Sequence, residues 1–409
     1  MNPTIKARIE SIRRGEVPEG YKRTKIGIVP KEWCEERLKH YFKRLTRKNS
    51  EKNQNVLTIS AQYGLISQED FFNKSVASED KSNYFLLKKG DFAYNKSYSN
   101  GYPYGAIKRL DYYEKGIVSP LYICLESLQE STSDYFAQYF EAGLLNKEIH
   151  AVAQEGARNH GLLNIAVEDF FNTRVVVPKV PEQEKIAEIL AGQDRVIALK
   201  EKLLAEKQKQ KKYLMQQLLT CKKRLPGFSG EWENAQLGEL GLFYQPKTLS
   251  QREIDTQKGY PVYGANGVIG FYKKYNHEFP QIIITCRGST CGTVGITVEK
   301  SWINGNAMVF NLDSNQKVDK HYMFYLCASF DFRKIITGSG QPQIVREPLQ
   351  QWQTKLPSLI EQIAIAEILS TADKEIELLQ KDIEQEKLKK KSLMQLLLTG
   401  IVRVDELVS

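Results

Sequence analysis

A chain of 409 residues, 41% hydrophobic and 26% charged, has room for two or three domains with their own cores and the composition of an ordinary soluble protein. No apolar run reaches the ~18 residues of a membrane span, and the N-terminus, with Lys6, Arg8, Glu10, Arg13 and Arg14, lacks the apolar centre of a secretion signal, so a cytoplasmic location is expected. The net charge of +9 is unevenly placed: the first fifty residues hold 14 Lys/Arg against 6 Asp/Glu, which points to a polyanionic partner, nucleic acid ahead of membrane because no amphipathic anchor accompanies the charge.

In chain order, Lys22, Arg23, Lys43, Arg44 and Lys48 read as charges that would position a phosphate backbone without specifying sequence. Glu32-Trp33 opens a first β-rich segment of about 20–178, with a strand-turn element at Leu57–Ile66, then a strand running into a Gly-rich polar loop within Gly90–Ile107. An apolar strand follows over Val118–Leu125, and Val177-Pro178 closes the segment. Next comes a long helix, from Pro181-Glu182 to Thr220.

The same order then returns. Glu231-Trp232 opens a segment of about 222–357, with a strand-turn element at Tyr260–Tyr272, a strand and Gly-rich loop over Gln281–Ile296, an apolar strand at Asn306–Leu312 and a close at Leu356-Pro357. The helix repeats most clearly: Glu182–Thr220 returns without a gap 179 residues later as Glu361–Thr399, about half the positions identical. In the second copy Ile365, Leu369, Ala372, Ile376, Leu379 and Ile383 step by fours and threes, which is a coiled-coil seam. The first keeps Ile186, Leu190, Ile197 and Leu204 in register, with Gln193 and Lys200 interrupting the row. Pro357-Ser358-Leu359-Ile360-Glu361 offers a Ser-x-x-Glu capping box, and Gly400 a stop. Roughly 38 residues would span about 57 Å and expose an apolar stripe, so each helix needs a partner; the nearest is the other copy.

Signatures of catalysis are missing: no phosphate loop, no methyltransferase Asn/Asp-Pro-Pro-aromatic motif and no nucleophile elbow. Six cysteines lack metal-site spacing and five histidines form no ligand or acid–base pattern. The loops instead carry groups that read nucleic acid. In the first segment these are Asn95, Lys96, Ser97, Tyr98, Asn100 and Tyr102, with Gln62 and Tyr63 in the strand-turn element and Arg158 and Asn159 near the segment's end. Their counterparts are Arg287, Ser289 and Thr290, with Asn266, and with Gln341 and Gln343. Amides pair with adenine edges, Arg and Lys with guanine or phosphate, and hydroxyls with either. Polar Gly-rich loops are commonly just loops; here their duplication in equivalent positions favours a binding role.

The paired helix motifs, Ile186-Ala187-Glu188-Ile189-Leu190 with Ile365-Ala366-Glu367-Ile368-Leu369 and the closing Leu-Met-Gln-containing ends, together with Leu225–Glu233 and Tyr263–Tyr272, make the chain resemble the DNA-specificity subunit of type I restriction-modification systems. That resemblance implies an α+β fold with two α/β target-recognition domains (1–178 and 222–356) and two long antiparallel helices (179–221 and 357–409) forming an intramolecular, pseudo-two-fold coiled coil. It also implies a non-catalytic subunit that binds double-stranded DNA and docks two methyltransferase subunits and two ATP-driven restriction subunits. S-adenosylmethionine, ATP and Mg would belong to those partners, and this chain would need no cofactor. A methylation-only complex, a stand-alone DNA binder and a helical scaffold for protein partners remain the other readings.

Overall fold

The computed structural model describes residues 3–60, 63–69, 80–98, 101–153, 163–265, 267–338 and 340–406. The chain divides into two compact units, Met1–Leu199 with Ile383–Ser409, and Lys200–Asp382.

In the first unit, four short strands pair antiparallel in the order Phe42–Arg44, Ile123–Ser127, Phe92–Asn95, Ala106–Arg109. The two central strands are apolar on both faces, so both faces must be covered. The helix Ser133–Glu141 supplies part of that cover: Phe136 and Phe140 set their rings against Phe42 and Phe92 at centroid separations of 5.0 to 5.7 Å. The single strand expected over Val118–Leu125 is two. Lys115–Val118 pairs with Phe85–Lys88, and Ser119-Pro120 turns the chain before Ile123 because proline has no N–H for a ladder. The strand-turn element is a hairpin, Leu57–Ser60 with Gly64–Ser67.

The second unit repeats this order as Leu242–Tyr244, Ala307–Asn311, Ile282–Thr285, Val294–Ile296. Lys320–Ala328 is its helix, capped where the Asp319 carboxylate accepts the Tyr322 N–H at 2.7 Å. Tyr260–Gly264 and Gly267–Tyr272 form its hairpin, and Trp302–Ile303 pairs parallel beside it. In both units a final two-stranded ribbon leads into a long helix: Arg174–Val177 pairs with Cys34–Arg37, and Gln353–Leu356 with Glu233–Gln236. The common topology expected from the sequence duplication is present.

The long helices are Val180–Leu218 and Leu359–Leu397, each 39 residues. Each starts alike: Gln183 donates to the Pro178 carbonyl at 2.8 Å, and Gln362 to that of Pro357 at 2.9 Å. Within the first unit Ile186, Leu190 and Ile197 are buried, as are Ile383, Met394 and Leu397 of the other helix. Gln193 donates to Glu386 at 2.6 Å there and Lys390 pairs with Asp194 at 2.6 Å. Within the second unit Leu218, Ile365 and Leu369 are buried, while Lys200 pairs with Asp382 and Lys207 with Glu375, both at 2.7 Å, and Lys211 pairs with Asp373. In the second unit the partner's number falls as the residue number rises, and in the first Glu182 meets Arg403 while Gln193 meets Glu386, so the helices run antiparallel in both. Gln193 and Lys200, which interrupt the apolar row, lie on the seam and meet acids there. Polar seam residues of this kind penalise any sliding that would separate them from their partners.

A second pairing ties the helix ends. Arg224, just past the first helix, makes two bonds to Glu361 at the start of the second, at 2.6 and 2.7 Å. Arg403, its equivalent 179 residues on, does the same to Glu182 at 2.6 and 2.9 Å. Two parallel N–H···O bonds of this kind fix direction as well as distance. The Glu361 carboxylate expected to close a capping box on Ser358 is directed to Arg224 instead.

Candidate nucleic-acid interface

In the second unit the chain leaves its central strand at Thr285, whose hydroxyl donates to the Ala265 carbonyl at 2.5 Å and so holds the hairpin turn against the loop. Cys286 is buried; its N–H reaches Asn306 O at 3.1 Å and its sulfur accepts from Gln245 at 2.9 Å. Arg287 then pairs antiparallel with Gln343, which pairs on its other side with Thr337. The bonds that hold this ribbon are Gly288 N–H to Pro342 O at 3.2 Å, Ile344 N–H to Cys286 O at 3.1 Å and a reciprocal pair between Thr337 and Gln343 at 2.8 and 2.9 Å. Gly288 and Gly292, at φ of +89° and +91°, turn the loop where a side chain would be strained. Three stretches far apart in sequence therefore meet: Ala265, Thr285–Gly292, and Thr337 with Pro342–Ile344. Arg287, Ser289 and Gln341 are exposed, and Thr290 and Gln343 half-buried.

In the first unit Asn95 ends the equivalent strand, and its side chain accepts the Ser97 N–H at 3.1 Å. The Lys96 carbonyl accepts from Leu163 at 3.1 Å, which brings the segment before the closing strand to the loop. Tyr98 projects outward, 64% exposed. Gly105 closes the loop at φ +78°, where a Cβ would lie 2.2 Å from the Asn95 carbonyl oxygen. Tyr102 turns inward: its hydroxyl donates to Glu141 at 2.7 Å and accepts from Lys108 at 3.0 Å, and Lys108 also pairs with Glu141. Burial, then the Glu141 charge, push this phenol's pKa well up, so it stays a neutral donor.

Tyr63, at the hairpin turn, is 54% exposed. Tyr112 is 72% exposed and lies beside Gly64, the residue next to it. Nothing in the sequence singles out Tyr112, because the Asp-Tyr-Tyr-Glu stretch between strands carries no motif. Gln62, Asn100, Arg158, Asn159 and Asn266 lie outside the described residues. Of the basic residues read as phosphate-facing, Lys43 pairs with Glu126 at 3.1 Å, while Lys48 donates to the Asn83 carbonyl at 2.8 Å beneath the Phe85 ring. Lys22 and Arg23 sit in the strand Tyr21–Arg23. Among the described residues no group of His, Cys, Asp and Glu is placed to hold a metal ion, and no helix is long and apolar enough to cross a membrane.

Comparison with known proteins places this architecture. Residues 229–387 match the family described as type I restriction modification DNA specificity domain. The chain is 28% identical over 338 residues to the type I restriction enzyme MjaVIII specificity subunit of Methanocaldococcus jannaschii, a match spanning 72% of this chain and 76% of that protein. Its fold is similar to that of the type I restriction-modification S subunit from M. genitalium, with a TM-score of 0.57 at 16% identity over 89% of this chain and 96% of that one. A chain solved in work on complex assembly and conformational transition of the type I R-M system gives 0.56 at 15% identity, over 91% and 99%. Fold and domain match alike are therefore similar to those of restriction-modification specificity proteins. The similarity to type I specificity subunits is thus carried by the domain match over residues 229–387, by a relative that aligns with 72% of this chain, and by a fold shared along most of its length.

Proposed function

We propose that this chain reads DNA for a type I restriction-modification complex, each unit recognising one half of an interrupted, asymmetric target. The observation that carries this reading is that one strand order is built twice and presents two different loops. Identical loops would call for a palindrome; Asn95–Tyr98 and Arg287–Thr290 share no residue order. The loops supply amide, guanidinium, ammonium and hydroxyl groups, the side-chain chemistry that reads base edges in the major groove. The paired helices serve as a ruler, with seam ion pairs and Arg–Glu clamps opposing slippage, and their exposed faces dock two methyltransferase subunits and, in the full complex, two restriction subunits. Leu199, Leu203 and Tyr213 on one helix, and Ile360, Ile363 and Leu378 on the other, are exposed and apolar, as docking requires. The chain itself contributes specificity and no catalysis; S-adenosylmethionine, ATP and Mg are assigned to the partners.

The test is to express the chain with its methyltransferase partner and sequence the methylated bases, with and without it. A two-part motif whose halves differ is expected, and a continuous symmetric motif would overturn the reading. Affinity for DNA should also fall linearly on a log–log plot against salt, as counterions leave the phosphates. Binding that ignores salt would favour a protein scaffold instead. Co-purification of a restriction subunit separates a full complex from a methylation-only one.

A further inference from the structure

Resting on that reading, we infer that Arg287 and Gln343, side by side on the ribbon of the second unit, read two adjacent base pairs: Arg287 a G·C pair and Gln343 an A·T pair. The first observation is their pairing. Arg287 and Gln343 face one another across an antiparallel bridge although 56 residues separate them in the chain. Directly opposed residues send their side chains to the same face, with Cβ atoms about 4.5–5.5 Å apart.

The second observation says which face. Cys286 and Ile344, the flanking residues, are 0% and 1% exposed and lie in the unit's core. Side chains alternate along an extended segment, so Arg287 and Gln343 are directed away from that core. Gly292 packs against Ile344 and Phe332 from within the loop, which fixes the ribbon on the core beneath it. Thr337, bonded to Gln343 through both backbone groups, supports the ribbon's far side.

Chemistry then assigns the bases. The Arg287 fork matches the O6 and N7 acceptors of guanine, and the Gln343 amide matches the N6 donor and N7 acceptor of adenine. Among the described residues no carboxylate pairs with Arg287, whereas Arg333, elsewhere in the same unit, is held by Asp331 at 2.7 and 3.0 Å. The free guanidinium is the one suited to an external acceptor. Stacked base pairs are about 3.4 Å apart, so two side chains rooted about 5 Å apart meet neighbouring steps and not distant ones. A two-stranded ribbon is of a size the major groove admits.

The test uses the full chain assembled with its methyltransferase subunits, comparing methylated motifs for wild type, Arg287→Ala, Arg287→Lys and Gln343→Ala. Competition binding by each purified complex, against duplexes permuted at every position, measures discrimination even where methylation is weak. Arg287→Ala should make one G·C position degenerate, and Gln343→Ala the adjacent A·T position, each losing about 5- to 150-fold in discrimination. Arg287→Lys keeps the charge but not the fork, so it should relax the G·C position as well. The half-site read by the first unit stays unchanged and serves as the control for folding and assembly. The inference is overturned if the second half-site survives letter for letter, if the relaxed positions are not neighbours, or if lysine fully replaces Arg287, as a phosphate contact would allow. Those outcomes leave a two-part wild-type motif standing; absence of that motif is a separate result and sinks the function proposed above.

Discussion

The two units share a strand order and an Arg–Glu clamp, yet their outward groups differ in kind. The first presents aromatic rings, Tyr63, Tyr98 and Tyr112, while the second presents Arg287 and Gln341 beside Gln343. What was kept after duplication is what packs: Leu190 and Leu369 are equivalent and both 0% exposed. What diverged faces solvent, where a change of side chain costs little stability and changes what is bound. The clamps show both tendencies at once. Glu182 and Glu361 each take a bidentate Arg, but Glu182 also accepts from the Trp33 ring nitrogen at 3.3 Å, whereas Arg224 lies over the Trp232 ring, 6.0 Å from its centre.

If the equivalence is physical, equal deletions should cost equal amounts. Leu190→Ala and Leu369→Ala each remove a buried side chain from a packed helix seam, so each should cost about 2–5 kcal/mol, the two agreeing within about 1 kcal/mol. Urea unfolding followed in each unit measures this. A large loss in one unit and a negligible one in the other would show that the helix ends are packed differently.

A sharper contrast lies just past the helices, where equivalent residues are Cys221 and Gly400. Both adopt left-handed backbone, φ +59° and +69°, as a helix C-terminus often requires. Gly400 suits that conformation and has no room for more: a Cβ would stand 2.5 Å from Pro30 and 3.1 Å from Trp33. Gly400→Ala should therefore lose about 2 kcal/mol or more. Cys221, exposed and carrying a Cβ in the same conformation, should gain about 0.5–1 kcal/mol on Cys221→Gly. Opposite signs at equivalent positions, read by thermal unfolding, are the expected result; equal signs would remove backbone strain as the cause.

The elements that sequence made legible are the periodic and local ones. Ile365 to Ile383 announced a seam through their spacing alone, and the hairpin at Tyr260–Tyr272 through its glycines. Pairings made across long stretches of chain left no local trace. Nothing near Glu361 names Arg224, and nothing near Gln343 names Arg287; Gln341-Pro342-Gln343 looks like a turn rather than a ribbon. Tyr102 reads as one polar loop residue among several, because Glu141 and Lys108, which turn it inward, lie on a helix and a strand elsewhere. Val118–Leu125 reads as one strand because its apolar run outweighs the single Pro120.

The smallest expected difference between the units is one of pH. His277 is buried in the second unit, its Nε2 2.8 Å from the Tyr244 hydroxyl and its Nδ1 2.6 Å from the Asn276 side-chain oxygen. That oxygen also accepts the Ile303 N–H, so Nδ1 must carry the hydrogen, and Nε2 accepts from Tyr244. Burial lowers the imidazole's pKa below its ordinary 6.5, against a weaker upward pull from Asp313. With the folded value below the unfolded one, the unfolded state binds more protons between them. The stability of the second unit is then complete above about pH 6.5 and declines as pH falls through that value toward the folded one. The described histidines of the first unit, His40 and His150, are exposed. Calorimetry from about pH 7.5 to about 5.5 should show the second unit's transition falling further than the first's, and His277→Gln should flatten that slope. If the slope persists in the variant, another group is titrating, and the buried imidazole is not what distinguishes the two units in acid.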